Sequence, residues 1–137
     1  MRIVIDTNVL ISATFWTGNP KQLLNRVRKK EFVLLTSQIL LNELKEILIR
    51  PDKPFKLSEE EAEHVVNSIR SLAEIVRTHS FVKICRDEQD NRVLECAVDG
   101  GAEWVISGDA HLLELQSFQG VRIGTVGDFL SSIGQQV

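Results

Sequence analysis

A chain of 137 residues, 43% hydrophobic and 26% charged, is long enough to bury a core as one globular domain over residues 1–137 and argues against a second. No apolar run approaches the roughly 20 residues of a membrane helix and the N-terminus lacks a secretory layout, so a cytoplasmic protein with no membrane contact is expected. The formal charge of −3 hides an asymmetry: residues 1–56 carry ten Lys or Arg against five acids, and residues 86–137 carry three against nine.

The first element is a buried strand over residues 2–5. A helix follows over 7–15, interrupted by "TGNP" at 17–20, and Pro20 suits the first turn of a second helix running to about Lys30. "FVLLT" at 32–36 reads as a strand, and Ser37 caps a helix that runs to Ile49 before "RPDKP". Ser58 with Glu61 three residues on resembles a capping box for a polar helix to about Thr78.

A short apolar segment occupies 81–85. A helix over 88–99 is stopped by Gly100 and Gly101, and "EWVIS" then makes a strand. "AHLLEL" is a short helix, "VRIGTV" a last strand and "GDFLSSI" a terminal helix. Cys85 and Cys96 form no CxxC pair and fit reduced thiols.

Continuous apolar strands alternating with amphipathic helices indicate an α/β fold whose mainly parallel sheet is covered on both faces. Ligands of such sheets bind beyond the carboxyl ends of the strands. Four acids bear on that edge. Asp6 ends the first strand and Asp109 follows "VISG"; each also suits a helix N-cap, worth about 1 kcal/mol.

Glu43 falls inside the apolar sector formed by Ile39, Leu40, Leu41, Leu44, Ile47 and Leu48. Its structural alternative is an ion pair with Arg50, two turns away. Asp90 begins the buried stripe of Val93, Leu94, Ala97 and Val98, with Arg92, Glu95 and Asp99 directed away; Asp87 is the cap of that helix. Two carboxylates about 5 Å apart repel by roughly 3 kcal/mol at an effective dielectric near 20, so a convergent set calls for a hard divalent cation. Mg²⁺ or Mn²⁺, one ion or two, suits carboxylates and water.

"VIDTNVLIS" (4–12), "SQILLNELKEIL" (37–48), "DEQDNRVLECAVDGGAEWVISGDAHLLEL" (87–115) and "VRIGTVGDFL" (121–130) resemble the successive motifs of the PIN-domain ribonucleases, most of all the small prokaryotic toxin–antitoxin type. The resemblance covers nearly the whole chain and is least distinctive over about 50–80. It implies a three-layer α/β/α sandwich that hydrolyses RNA phosphodiesters with divalent metal. Asp6, Glu43, Asp90 and Asp109 would be the catalytic acids, with Asp6, Asp90 and Asp109 as metal ligands and Asn8 and Ser107 in support. His111 stands where many relatives carry a further Asp, which bears on the number of ions.

The resemblance also implies an antitoxin as partner and a homodimer. The RNA is expected to be single-stranded or looped, since an A-form duplex hides its base edges. The cations around the site would be Arg26, Arg28, Lys29 and Lys30, although a helix end is also an ordinary place for cations. Two other readings stand beside this one. A receiver-like Mg-binding regulatory domain would want adjacent acids after the first strand and a Lys after the last. A catalytically inactive PIN-like module that binds protein would keep the fold without the chemistry.

Overall fold

The computed structural model describes residues 1–134. Its elements are β1 (Arg2–Ile5), α1 (Thr7–Phe15), α2 (Asn19–Arg28), β2 (Val33–Thr36), α3 (Gln38–Leu48), α4 (Glu59–Leu72), β3 (Ala73–Ile75), α5 (Glu88–Gly100), β4 (Trp104–Ile106), α6 (Ala110–Leu115), β5 (Ser117–Phe118), β6 (Val121–Gly124) and α7 (Val126–Ser132). The strands form one sheet in the order β3-β2-β1-β4-β6-β5, parallel throughout except for β5. No helix among the described residues is long and apolar enough to cross a membrane.

The pleat of the central strands divides the core into two layers. Ile3 and Ile5 of β1, Leu34 of β2 and Ile106 of β4 face the layer filled by α1, α2, α3, α4 and α7. Val4, Leu35 and Val105 face the opposite layer, filled by α5 and α6. Successive side chains of a strand point to opposite faces, so an uninterrupted apolar strand must be covered twice. The three-layer α/β/α arrangement is the result.

Two strands depart from the reading of the sequence. The helix expected to continue to Thr78 ends at Leu72, and Ala73–Ile75 pairs with the otherwise open edge of β2. Backbone pairing along that edge outweighs the helical periodicity, and it continues where the Val76 amide donates to Thr36 O at 2.8 Å. β5 is only two residues long, returning through Gln119 and Gly120, whose φ angles are both positive. A two-residue strand has no readable period.

The two glycines expected to stop α5 have separate tasks. Gly101 is its left-handed cap, at φ 68°. Gly100 is still helical, and a Cβ there would lie 2.8 Å from Val76 Cγ2 and 3.0 Å from Leu35 Cδ1. Its bare backbone therefore lets α5 lie close against the sheet, which fixes the height at which the other end of the helix presents its acids.

The chain runs outward from β1 to β2 and β3, then returns to place β4 on the other side of β1. This makes the carboxyl ends of β1 and β4 the point where strand order reverses, the usual location of a ligand crevice. The amide of Asp6 donates to Ile106 O at 3.0 Å and the amide of Ser107 to Gly124 O at 3.0 Å, so both residues leave the sheet from fixed positions.

Below that edge, Phe129 of α7 is fully buried and meets Phe32 and Trp104 edge-on, with ring centroids 5.2 and 5.4 Å away. Phe129→Ala is expected to lower the unfolding free energy by about 3–5 kcal/mol. Urea titration followed by tryptophan fluorescence measures it, and an unchanged midpoint would contradict this view of the core.

Candidate active site

Asp6, the last residue before α1, is 7% exposed. One of its oxygens accepts from the Val9 amide at 3.1 Å and the other from the Ser107 hydroxyl. The same Ser107 oxygen accepts from the Asp109 amide at 2.9 Å. Ser107 therefore ties together the acids that follow β1 and β4. Asp109 caps α6, its Oδ1 accepting from the amides of His111 at 2.8 Å and Leu112 at 3.3 Å.

Glu43 projects from α3 toward the same point. Its Oε1 accepts from Thr7 Oγ1 at 2.7 Å, so its partner is a hydroxyl on α1 rather than Arg50. Asp90, in the first turn of α5, is 8% exposed. Asp87 caps that helix by accepting from the Gln89 amide at 2.9 Å.

These groups line one cavity of about 60 Å³, together with Thr7, Asn8, Ile47, Gln89 and Val93. At roughly 30 Å³ for a water molecule, it admits ions, water or a phosphate oxygen but not a sugar or a base. The structure thus brings together the four expected acids, Asp6, Glu43, Asp90 and Asp109, and adds Asp87. Asp87 reads from sequence as a cap; it is a cap, and it lines the cavity as well. Thr7 was also missed, and its signal was its place in "DTN" directly opposite Glu43's helix.

Asn8 lies at the mouth and is exposed; His111 is exposed on α6. Arg26, Arg28, Lys29 and Lys30 are elsewhere. They close α2 immediately before β2 begins, at the amino edge of the sheet, while the cavity lies at the carboxyl edge. Arg26 pairs with Glu31 at 2.8 Å and stacks 5.0 Å from the Phe32 ring centroid, and Arg28 donates to Asn25 at 2.7 Å. They do not surround the acids, because a connection into a parallel strand starts from the opposite edge.

Among the described residues no Lys, Arg or His lines the cavity. Gln89 Oε1 is buried with no hydrogen-bond partner, so the orphaned atom is another oxygen acceptor. Five carboxylates and an unsatisfied amide oxygen are hard oxygen donors of the kind that Mg²⁺ and Mn²⁺ accept. Among the described residues no three acidic, His or Cys side chains are drawn up to grip one ion at once. Both Asp6 oxygens and Asp109 Oδ1 are instead engaged by backbone amides and Ser107, so ion contact through water suits them.

A family model described as PIN domain matches residues 2–111. An uncharacterized protein of Methanocaldococcus jannaschii is 29% identical over 118 residues, which cover 85% of this chain and 76% of that protein. The fold is similar to that of a chain in the crystal structure of VapBC2 from Rickettsia felis bound to a DNA fragment from their promoter, with a TM-score of 0.63 and 14% identity over 90% of this chain and 97% of that one.

The acids reinforce one another electrostatically. Burial first, then the charges of Asp109, Asp87, Asp6 and Glu43, push the Asp90 carboxyl up to about 6. Burial likewise raises Asp6, against the opposing pull of Ser107 and the backbone amides, and raises Glu43 against Thr7. An acid with a raised folded-state pKa binds its proton more tightly folded than unfolded, so the contribution of Asp90 to stability is greatest below about pH 4 and is lost as pH rises through about 6. In chelator-treated protein, Asp90→Asn is therefore expected to raise stability at pH 8 by about 1–3 kcal/mol and to leave it nearly unchanged at pH 4. Urea unfolding at the two pH values tests the sign, and destabilisation at pH 8 would contradict it.

Proposed function

This chain belongs to the PIN-domain family, and on that premise we propose that it is a metal-dependent endoribonuclease cutting single-stranded or looped RNA at the acidic cavity. One observation carries the reading: five carboxylates, on α3 and α5 and at the caps of α1, α5 and α6, share a small cavity that no cationic side chain among the described residues lines. A purely structural cap needs no such company.

Asp6, Asp90 and Asp109 would hold Mg²⁺ or Mn²⁺, and the exposed His111 leaves the family's further acidic position unfilled. A divalent cation held there would supply Lewis-acid charge to the phosphodiester and would offset the repulsion among the acids. Ser107 holds Asp6 and Asp109 at a fixed separation by donating to one while accepting from the backbone of the other. Asn8, at the mouth, orients water or a phosphate oxygen. Glu43, its proton affinity raised by burial and held in place by Thr7, accepts the proton of the attacking water. The cavity is too small for a nucleoside, so the scissile phosphate lies over its mouth while the flanking nucleotides run along the surface.

The biological setting we propose is the toxin of a toxin–antitoxin pair, cytoplasmic, homodimeric and restrained by an antitoxin protein. The likeness to the small prokaryotic type and the VapBC2-like fold support it. Its partner would be encoded beside it and would co-purify on co-expression.

Cleavage of unstructured RNA with Mg²⁺ or Mn²⁺ tests the chemistry. Asp6→Asn and Asp90→Asn are each expected to reduce the rate at least about a hundredfold and Ser107→Ala about ten- to a hundredfold, since orienting partners of a metal site typically matter to that degree. Mn²⁺ should raise the melting temperature of the native chain and not that of Asp90→Asn. Equal residual cleavage by the native chain and both Asn variants would assign the activity to a contaminant and end the nuclease reading.

A further inference from the structure

A second, wider groove lies on the same edge of the sheet as the acids. It has a volume of about 650 Å³ and is lined by residues of the β2–α3 turn, the segment after β3 and α5, among them Ile39, Arg77, Phe81, Arg92 and Glu95. That volume falls within the roughly 300–1,000 Å³ typical of sites for organic ligands. α3 and α5 border both hollows, with Glu43 and Asp90 in the small one and Ile39 and Arg92 in the large one.

One wall is formed by residues 75–81, and the segment from 76 on to 86 contains Arg77, His79, Lys83 and Arg86 and no acid. Its Phe81 is 74% exposed, with Lys83 Nζ 4.9 Å and Arg92 Cζ 6.0 Å from the ring centroid. Glu95, the acid in the groove, is 6% exposed and already paired with Arg92 at 2.8 Å. The accessible charge is therefore positive.

This segment is pinned by side chains of α5 without being helix or strand. Glu95 accepts from the Val82 amide at 2.9 Å; Asn91 accepts from the Cys85 amide at 2.8 Å and donates to its carbonyl at 3.1 Å; Asp99 accepts from the amides of His79 at 2.6 Å and Ser80 at 2.9 Å. Arg77, Lys83, Ile84 and Arg86 are left facing solvent. An exposed aromatic ring in cation–π contact with a lysine that can swing onto a phosphate offers a base a stacking surface and the neighbouring phosphates a charge.

We propose that this groove is a subsite for single-stranded nucleic acid, in which Phe81 stacks a base while Arg77 and Lys83 meet the phosphates beside it, leading the strand to the acidic cavity. The proposal rests on the nuclease reading for what happens at the cavity and on the groove alone for binding. It also supplies what the cavity lacks, since a carboxylate cluster repels a polyanion and the cations of α2 lie at the far edge.

The test is fluorescence anisotropy of a short fluorescein-labelled single-stranded RNA with the full chain in chelator, where nothing is cut. Phe81→Ala is expected to weaken binding about tenfold. The double variant Arg77→Ala with Lys83→Ala should reduce the salt slope of log affinity by about 1.4, some 0.7 for each cation. Because these side chains are exposed, melting temperatures should match the native chain, and cleavage with Mn²⁺ should show KM raised with kcat little changed. Native-chain binding that is absent, or unaltered in the variants, overturns the subsite even where cleavage proceeds. Loss of binding in the variants with no cleavage by any protein upholds the subsite and ends the nuclease reading instead. Light scattering that shows Phe81→Ala splitting a dimer, with RNA affinity unchanged, would make the groove a chain-to-chain contact and overturn the proposal.

Discussion

The repulsion among carboxylates gathered at one sheet edge is the constraint around which this molecule is organised. Parallel strands bring their carboxyl ends together, and the helices that follow begin there, so caps such as Asp6, Asp87 and Asp109 converge for reasons of topology alone. Helix N-termini tolerate such acids. They do not explain Glu43, which comes from the middle of α3, or Asp90, which lies among acids with burial and charge both raising its pKa. Those two residues turn an ordinary edge into a concentration of negative charge that folding opposes and a divalent ion would relieve.

Much of this was legible because it depended on local patterns. The apolar runs of β1, β2 and β4 and the caps Asp6, Ser37 and Ser58 are short-range signals, and the structure has them where the sequence puts them. Glu43 and Asp90 were legible for a related reason: Glu43 falls inside an apolar stripe and Asp90 begins one, and both line the cavity. The failures were of long range. Whether Ala73–Ile75 continues a helix or joins a sheet depends on the open edge of β2, which lies more than thirty residues earlier.

α5 offers the plainest correction. Arg92, Glu95 and Asp99 are expected on a solvated face, yet Glu95 is nearly fully buried, and Asn91, one turn before it, is fully so. Helical periodicity finds a polar stripe and cannot say whether water or a polypeptide backbone covers it. Here it is the backbone of residues 79–85, whose amides would otherwise be left without partners against the core. The cations of α2 failed for the complementary reason, since their composition was suggestive but the connectivity of a parallel sheet carries them to the wrong edge.

One helix thus sets the spacing between the acidic cavity and the clamped segment. Asp90 and Asn91 are consecutive, so the step from acid to clamped loop is a single helical increment of about 100°. Substitution on the outer surface of α5 leaves that gauge intact, whereas gaining or losing one residue between positions 90 and 99 would rotate Glu95 and Asp99 off their amides while Asp90 stayed behind. For descendants of this sequence, length in that helix is therefore less negotiable than chemistry on its exposed side.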